Sequence, residues 1–192
     1  HSAQDIAALA SIPGLRVYLP SDRFLTQALM EVLVQDNDPA YIRVGRNAVE
    51  DVYDNVPESF QMDKAVTVKE GTDVTLIACG EMVKPAVEAA ALLAEQGISA
   101  RVLDMYCVKP LDREAVEKAA QETRAIVTVE EHSLYGGMGS MVSQVGGETH
   151  PVKVKNLALP DEPAIAGKSG EVFAHYGLDA QGIAKAAQEA LS

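Results

Sequence analysis

The chain has 192 residues, of which 47% are hydrophobic and 23% are charged, a composition that suits a globular protein with a packed core and excludes a disordered chain. Its 28 acidic and 16 basic residues give a formal net charge of −12, which repels nucleic acids and anionic membranes. No apolar run approaches the roughly 20 residues of a membrane span, and the N-terminus does not resemble a signal peptide, so we expect a cytoplasmic protein.

The first part of the chain, up to residue 45, alternates between helical and extended patterns. The predicted elements are a short helix over 2–10, a strand over 15–19, a helix that begins at Asp22 and ends before Asp36, and a strand over 40–44. Two strands form only a marginal sheet, so this part is expected to be the end of a domain whose remaining strands are not in this chain. The chain opens at His1 in a helix already begun, without an initiator methionine, so we expect it to be cut from a longer polypeptide.

Residues 47–63 have no periodicity and are predicted to form a linker. Beyond it, strands are predicted over 65–69, 74–79, 100–105, 125–129 and 152–157, separated by helices, with Asp112 and Asp179 as caps of two of these helices. Such alternation predicts an α/β fold with a mostly parallel sheet covered by helices on both faces. A partial α/β domain over residues 1–58 is expected to precede this second domain, over residues 59–192.

The cysteines and histidines do not suggest a metal site. Cys79 and Cys107 lie in apolar, strand-like runs, where free thiols behave as small buried hydrophobic groups. The four histidines, at positions 1, 132, 150 and 175, are too dispersed to form a zinc-binding cluster with them. We therefore predict no metal ligands in this chain.

The segment Gly136-Gly137-Met138-Gly139 follows a strand and precedes a helix, where backbone N–H groups can bind an anion. Its spacing is not that of a dinucleotide-binding loop, and the adjacent Glu130 and Glu131 would repel a phosphate. Ser140 lacks the flanking glycines of a nucleophile elbow. We favour a tight turn here, with Glu130, Glu131 and His132 on a surface that contacts a partner.

Arg43 and Arg46 lie at the carboxyl end of a predicted strand, where open α/β sheets bind ligands. A guanidinium group suits a phosphate or a carboxylate, although these arginines could instead pair with Asp22 or Glu50. His1 is a candidate general acid or base, because its pKa lies near neutral pH, or simply the residue at which the chain was cut.

Several segments, in order and spacing, resemble the end of a transketolase. Residues 1–7, 12–14 and 18–22 are similar to the second half of that family's pyrimidine-binding domain, and Tyr41–Arg46 is similar to its closing strand. The segments that resemble its C-terminal domain are Glu130-Glu131-His132, Gly136–Gly139, Gly167-Lys168-Ser169-Gly170 and Tyr176-Gly177-Leu178.

The resemblance implies a transferase of the pentose phosphate pathway that works as a homodimer. With thiamine diphosphate and Mg, it would move a two-carbon ketol unit from a ketose phosphate to an aldose phosphate. Arg46 would bind the substrate phosphate, with Arg43 as a second candidate. His1 would be the second member of the family's histidine pair at this junction.

The resemblance also implies that much of the active site precedes His1. The glutamate that activates the cofactor, the aromatic pocket around the cofactor ring and the domain that binds its diphosphate and metal all belong there. We therefore expect this chain alone to bind no thiamine diphosphate, to be inactive, and to need an N-terminal transketolase section or subunit.

Three alternatives stay open on the sequence. 1-Deoxy-D-xylulose-5-phosphate synthase and the β chain of a 2-oxo-acid dehydrogenase share this C-terminal layout, although the Ile-Arg-Val-Gly-Arg-Asn segment at 42–47 favours transketolase. A non-catalytic assembly module would also be compatible with the acidic composition. Whether the complete enzyme is one chain or two is undecided.

Overall fold

The computed structural model describes residues 3–46 and 48–192, which form two β-sheets with helices packed against them. The strands are β1 Arg16–Tyr18, β2 Ala40–Ile42, β3 Val66–Lys69, β4 Val74–Ala78, β5 Ala100–Asp104, β6 Cys107–Lys109, β7 Ala125–Ser133 and β8 Lys153–Leu159. The helices are α1 Asp5–Ala10, α2 Arg23–Leu33, α3 Val83–Glu95, α4 Arg113–Glu122, α5 Met138–Thr149, α6 Ser169–His175 and α7 Ala180–Leu191, with a 3₁₀ turn at Gly80–Met82.

The larger sheet has the strand order β3-β5-β4-β7-β8. β4 is parallel to β5 and β7, β8 is parallel to β7, and β3 is antiparallel at the edge. Its central strand is buried on both sides: Leu76 packs with α3 and α7, whereas Ile77 packs in the cluster that contains α4 and α5 side chains. A two-sided core explains why every residue of β4 is buried and why Thr75 is its only polar residue. The predicted mostly parallel sheet with helices on both faces is confirmed.

The smaller sheet has the order β2-β1-β6. β1 runs parallel to β2 and antiparallel to β6, with Val17 opposite both Tyr41 and Lys109. β6 was not predicted as a strand, because no glycine or proline separates it from β5 and only Met105 and Tyr106 lie between the two strands. The strand that pairs with β1 on the side opposite β2 is therefore β6, which lies beyond the predicted linker in the same chain.

One apolar cluster joins the two sheets. It contains Val17 and Leu25 from the first part of the chain together with Met105, Tyr106 and Cys107 from the second. Between β2 and β3, the described residues 43–46 and 48–65 form no helix or strand. The division into domains at residues 58 and 59 stays a prediction.

Asp22 fixes part of this irregular segment to the first part of the chain. Its Oδ1 accepts a hydrogen bond from the Leu25 N–H at 2.9 Å and caps α2, as predicted. Its Oδ2 accepts the backbone N–H groups of Val52 and Tyr53, both at 2.9 Å. The Tyr53 hydroxyl then donates to Asp104 Oδ2 at 2.9 Å, so the segment is fastened to the end of β5 as well.

Local sequence features account for most of the remaining elements. Asp112 and Asp179 cap α4 and α7 through the N–H groups of Ala115 and Gly182. Helix α6 was missed, and α1 begins after Gln4, whose side chain forms no capping hydrogen bond. Ser2, at which the first helix was predicted to begin, lies outside the described residues.

Both cysteines are free and buried, as predicted. Burial raises the pKa of the Cys79 thiol and that of the Cys107 thiol above the ordinary range, so both are protonated at neutral pH. Within the described part of the chain, no helix is long and apolar enough to cross a membrane.

Candidate functional site

A cleft of about 1160 Å³ opens where the strands of both sheets end. Its walls come from the residues that follow β1, β2 and β4, from Glu131 near the end of β7, from Asp5 of α1, and from residues 167–170 at the start of α6. The carboxyl ends of parallel strands form such crevices in open α/β sheets, and ligands bind there. The cleft is therefore the place in the fold where binding residues are expected.

Arg46 lies in this cleft, as the sequence led us to expect. It is exposed, and it forms no hydrogen bond or ion pair with any described residue. A guanidinium group without an internal partner is free to bind an anion, and its planar set of donors matches two oxygens of a phosphate. Whether Arg46 does so stays a prediction.

Arg43 also borders the cleft, but its guanidinium is occupied. Nη1 donates to the Glu131 backbone oxygen at 2.9 Å and Nη2 donates to Glu131 Oε2 at 3.1 Å. Nε lies 3.6 Å from Asp5 Oδ2, and only 16% of the side chain is exposed. Two carboxylates thus balance its charge, which leaves Arg43 less suited than Arg46 to a phosphate.

The alternative partners considered for these arginines are engaged elsewhere. Asp22 binds backbone N–H groups, and Glu50 forms an ion pair with Lys84 at 3.1 Å. The true partners of Arg43 are distant in sequence, with Glu131 88 residues away. No local pattern could have identified them.

Asp5 anchors helix α1 to β2 at the edge of the cleft. Its Oδ2 accepts a hydrogen bond from the Tyr41 hydroxyl at 2.8 Å. Its Oδ1 is buried and has no hydrogen-bond partner among the residues that the structure describes. Asp5, Tyr41 and Arg43 therefore form one polar group that joins the start of the chain to the end of β2.

Two further charged residues in the cleft were not predicted. Glu81 lies against Gly45: a Cβ at position 45 would be 1.7 Å from Glu81 Oε1, so a larger residue there would displace this carboxylate. Burial, reinforced by the charge of Glu131, raises the pKa of Glu81. Lys168, on the opposite loop, forms no ion pair with a described residue. The cleft thus combines unpaired cations with carboxylates.

Glu130 is buried, not exposed as expected. Its Oε2 accepts the Met138 N–H and its Oε1 accepts the Gly139 N–H, both at 2.8 Å. Burial raises the pKa of this carboxyl to about 7, although these two hydrogen bonds oppose the shift. The N-terminus of α5, which the sequence marked as a possible anion site, is already occupied by a side chain of the same protein.

His132 is also buried, with none of its surface exposed. Its Nε2 accepts the Ala7 N–H at 3.2 Å, and its Nδ1 lies 2.9 Å from the Ser133 oxygen. This arrangement requires a neutral ring with the proton on Nδ1, and burial lowers the pKa accordingly. Because β7 continues to Ser133, its side chains alternate between inside and outside, and only Glu131 of the predicted surface group faces the cleft.

His1 lies outside the described residues, so its proposed role as a general acid or base stays a prediction. In residues 3–46 and 48–192, no three His, Cys, Asp or Glu side chains come together as a metal site. The carboxylates of Asp5, Glu81 and Glu131 balance the three cations of the cleft, Arg43, Arg46 and Lys168, so no surplus of positive charge remains for a diphosphate, which carries more charge than the single phosphate of a sugar. The described residues therefore do not by themselves fit thiamine diphosphate with its metal.

Comparison with known proteins decides the family. Residues 63–183 match the model of a family described as "Transketolase, C-terminal domain". The chain belongs to the transketolase C-terminal domain family. The sequence resemblance is thereby confirmed.

Two curated relatives and one solved structure are informative. The chain is 50% identical over 189 residues to one subunit of the apulose-4-phosphate transketolase of Phocaeicola vulgatus, a match that covers 98% of this chain and 60% of that protein. It is 35% identical over 195 residues to 1-deoxy-D-xylulose-5-phosphate synthase 1 of Geobacter sulfurreducens, covering 100% of this chain and 31% of the synthase. A structure described as "Split gene transketolase, inactive beta4 tetramer" has a TM-score of 0.90 and 36% identity, and the match covers 100% of this chain and 62% of that one.

The chain thus spans about 60% of the length of the transketolase subunit that it matches. The family and the fold are established by these matches. The activity, substrates and partners of a whole enzyme are not established by them.

Proposed function

We propose that this chain is the C-terminal part of a transketolase whose N-terminal section is a separate subunit. The observation that carries the proposal is the 50% identity, over 98% of the chain, to a protein named as one subunit of a transketolase. The TM-score of 0.90 with a split-gene transketolase supports it. The complete enzyme would use thiamine diphosphate and Mg to transfer a two-carbon ketol unit from a ketose phosphate to an aldose phosphate.

In this enzyme the chain would bind the substrate phosphate through Arg46. The exposed guanidinium lies at the carboxyl end of β2, and the neighbouring Arg43 is already neutralised. A chain with a net charge of −12 repels anionic substrates, so a local cation is needed to hold one. Binding the phosphate would orient the sugar for reaction, which is the part of catalysis that this chain can supply.

The cofactor chemistry would depend on the N-terminal partner. The chain alone is expected to bind no thiamine diphosphate and to be inactive. The tetramer of the solved relative, which is described as inactive, supports self-association of the isolated subunit. We propose that the complete enzyme combines both sections, as a homodimer of the pair, in the cytoplasm. Stoichiometric binding of thiamine diphosphate to this chain in calorimetry would contradict the proposal.

The substrate is proposed as a phosphorylated ketose. The name of the Phocaeicola vulgatus relative makes apulose 4-phosphate the first donor to test, ahead of the substrates of the pentose phosphate pathway. The match to 1-deoxy-D-xylulose-5-phosphate synthase favours a second candidate in which pyruvate is the donor. Assays of the complete enzyme with each donor distinguish the two, because only the synthase requires pyruvate.

The decisive experiment replaces Arg46 by alanine in the complete enzyme. A charge-assisted hydrogen-bonded contact contributes about 1.5–3 kcal/mol, so we expect the KM for the phosphorylated ketose to rise about 10- to 100-fold. Arg113, which pairs with Glu148 on the surface outside the cleft, provides the control Arg113→Ala. An unchanged KM in Arg46→Ala would remove Arg46 from the site and favour an assembly role for the chain.

A further inference from the structure

We infer that Glu131 is a positioning residue for Arg46 and that it acts through Arg43. The inference rests on the proposed function, because it assumes that Arg46 binds the substrate phosphate. Glu131 lies within residues 63–183, which match the family model, and Arg46 lies outside them. The inference therefore gives this domain a role in positioning a residue of the preceding part of the chain.

The contact between Glu131 and Arg43 is double. The backbone oxygen and the carboxylate of Glu131 each accept a guanidinium N–H, at 2.9 and 3.1 Å. The Arg43 side chain is 16% exposed and the Glu131 side chain is 35% exposed, so water reaches the carboxylate but little of the guanidinium. Both hydrogen bonds are charge-assisted, which makes them the stronger kind, and two of them fix orientation as well as position.

Arg43 is also the last residue before Arg46 whose backbone N–H takes part in the hydrogen-bond ladder of the smaller sheet. Its backbone N–H donates to the Tyr18 oxygen at 2.9 Å and so extends the ladder between β1 and β2 by one residue. The chain then leaves the sheet, and three residues of extended chain reach at most about 10 Å. The position of Arg46 is therefore limited by where Arg43 is held.

Asp5 cannot replace Glu131 in this role. Its Oδ2 lies 3.6 Å from Arg43 Nε, a longer contact, and the same oxygen accepts the Tyr41 hydroxyl. Without the Glu131 carboxylate, the guanidinium keeps the Asp5 contact on the α1 side and the backbone oxygen of residue 131, and it loses one of its two hydrogen bonds to β7. Glu131 itself carries a negative charge, which makes it unsuitable as a direct ligand of a phosphate.

The test is a double-mutant cycle in the complete enzyme, with Arg43→Ala, Glu131→Ala and the double variant. Glu131→Ala is expected to raise the KM for the phosphorylated ketose about 3- to 10-fold with little change in kcat. The same substitution in the Arg43→Ala background should change the KM less than about twofold, because its only route is already removed. Activity with a non-phosphorylated donor such as hydroxypyruvate should not change.

Glu131→Gln keeps a hydrogen-bond acceptor without the charge and should give an intermediate KM, which covers the case in which Glu131→Ala does not fold. Glu122→Ala is the matched control: Glu122 pairs at 2.6 Å with Arg101, another mostly buried arginine, and neither residue lines the cleft. Its KM should stay within about twofold of the parent value.

Either of two patterns in which Glu131→Ala raises the KM would overturn the inference. One is an equal rise of KM from Glu131→Ala with and without Arg43, since Glu131 would then act on the substrate directly. The other is an equal loss with phosphorylated and non-phosphorylated donors, or in Glu122→Ala, which would indicate a general structural defect. If Arg46→Ala raises the KM and Glu131→Ala does not, this inference is rejected and the proposed function stands. If Arg46→Ala leaves the KM unchanged, the proposed function itself is rejected.

Discussion

The Glu130 carboxylate accepts the backbone N–H of Gly139 at 2.8 Å, so an internal side chain takes the anion position at the N-terminus of α5. Gly137 makes this approach possible, because a Cβ there would lie 2.2 Å from Glu130 Oε2. Gly137→Ala must push the carboxylate away and leave buried N–H groups without a partner. We expect the free energy of unfolding to fall by about 1–3 kcal/mol, measured by urea denaturation.

Gly147→Ala is the control in the same helix. A Cβ at this exposed position meets nothing within 4 Å. Replacing glycine by alanine inside a helix normally stabilises by about 0.5–1 kcal/mol, so the two substitutions should have opposite signs. Equal effects would show that the close approach of Gly137 to Glu130 has no energetic importance.

Asp22 is predicted to contribute more to stability than an ordinary helix cap. Its side chain accepts three backbone N–H groups, those of Leu25, Val52 and Tyr53, whereas the Asp179 side chain accepts only that of Gly182 among the described hydrogen bonds. Asp179→Ala should lower the free energy of unfolding by about 1 kcal/mol, and Asp22→Ala by about 3 kcal/mol. Denaturant unfolding of both variants measures the difference. If the two losses were the same, docking of the irregular segment onto Asp22 would contribute nothing.

Asp104 should make the protein less stable as the pH rises from acid to neutral. Burial raises its pKa from 3.8 to about 7, and the nearby charge of Asp22 acts in the same direction, against the hydrogen bonds from Ser21 and Tyr53. Between those pH values the folded state binds more protons than the unfolded state. The free energy of unfolding therefore falls as the pH rises through this range, and the contribution is absent above about pH 7.

Asp104→Asn tests this origin of the pH dependence. Both hydrogen bonds, from Ser21 and Tyr53, go to Oδ2, while Oδ1 has no partner in the described part of the chain, so an asparagine oxygen can accept both. Between pH 5 and pH 8 the parent protein should lose about 2 kcal/mol more stability than the variant. The raised pKa of Glu130 affects both proteins and cancels in the comparison. Parallel pH profiles would contradict the prediction.

The candidate site was only partly accessible from the sequence. Arg46 could be proposed because it follows a strand, and strand ends line ligand clefts. The pairing of Arg43 with Glu131 could not be predicted, because 88 residues separate the two and no sequence pattern around either residue indicates its partner. Glu130 and His132 were expected on a surface because the apolar pattern stops at Val129; their partners, the N-termini of α5 and α1, come from distant packing.

The sequence by itself determined the elements whose causes are local. Asp22, Asp112 and Asp179 each accept a hydrogen bond from an N–H three residues onward, and the mostly apolar sequence of β4 already implies a strand covered on both sides. Only the tertiary structure decided that β6 turns back to pair with β1, and that one core passes through both sheets. The physical reason is the distance along the chain. A helix cap forms its hydrogen bond within one turn, whereas the partner of a strand edge or of a buried charge can come from any segment that the fold brings near it.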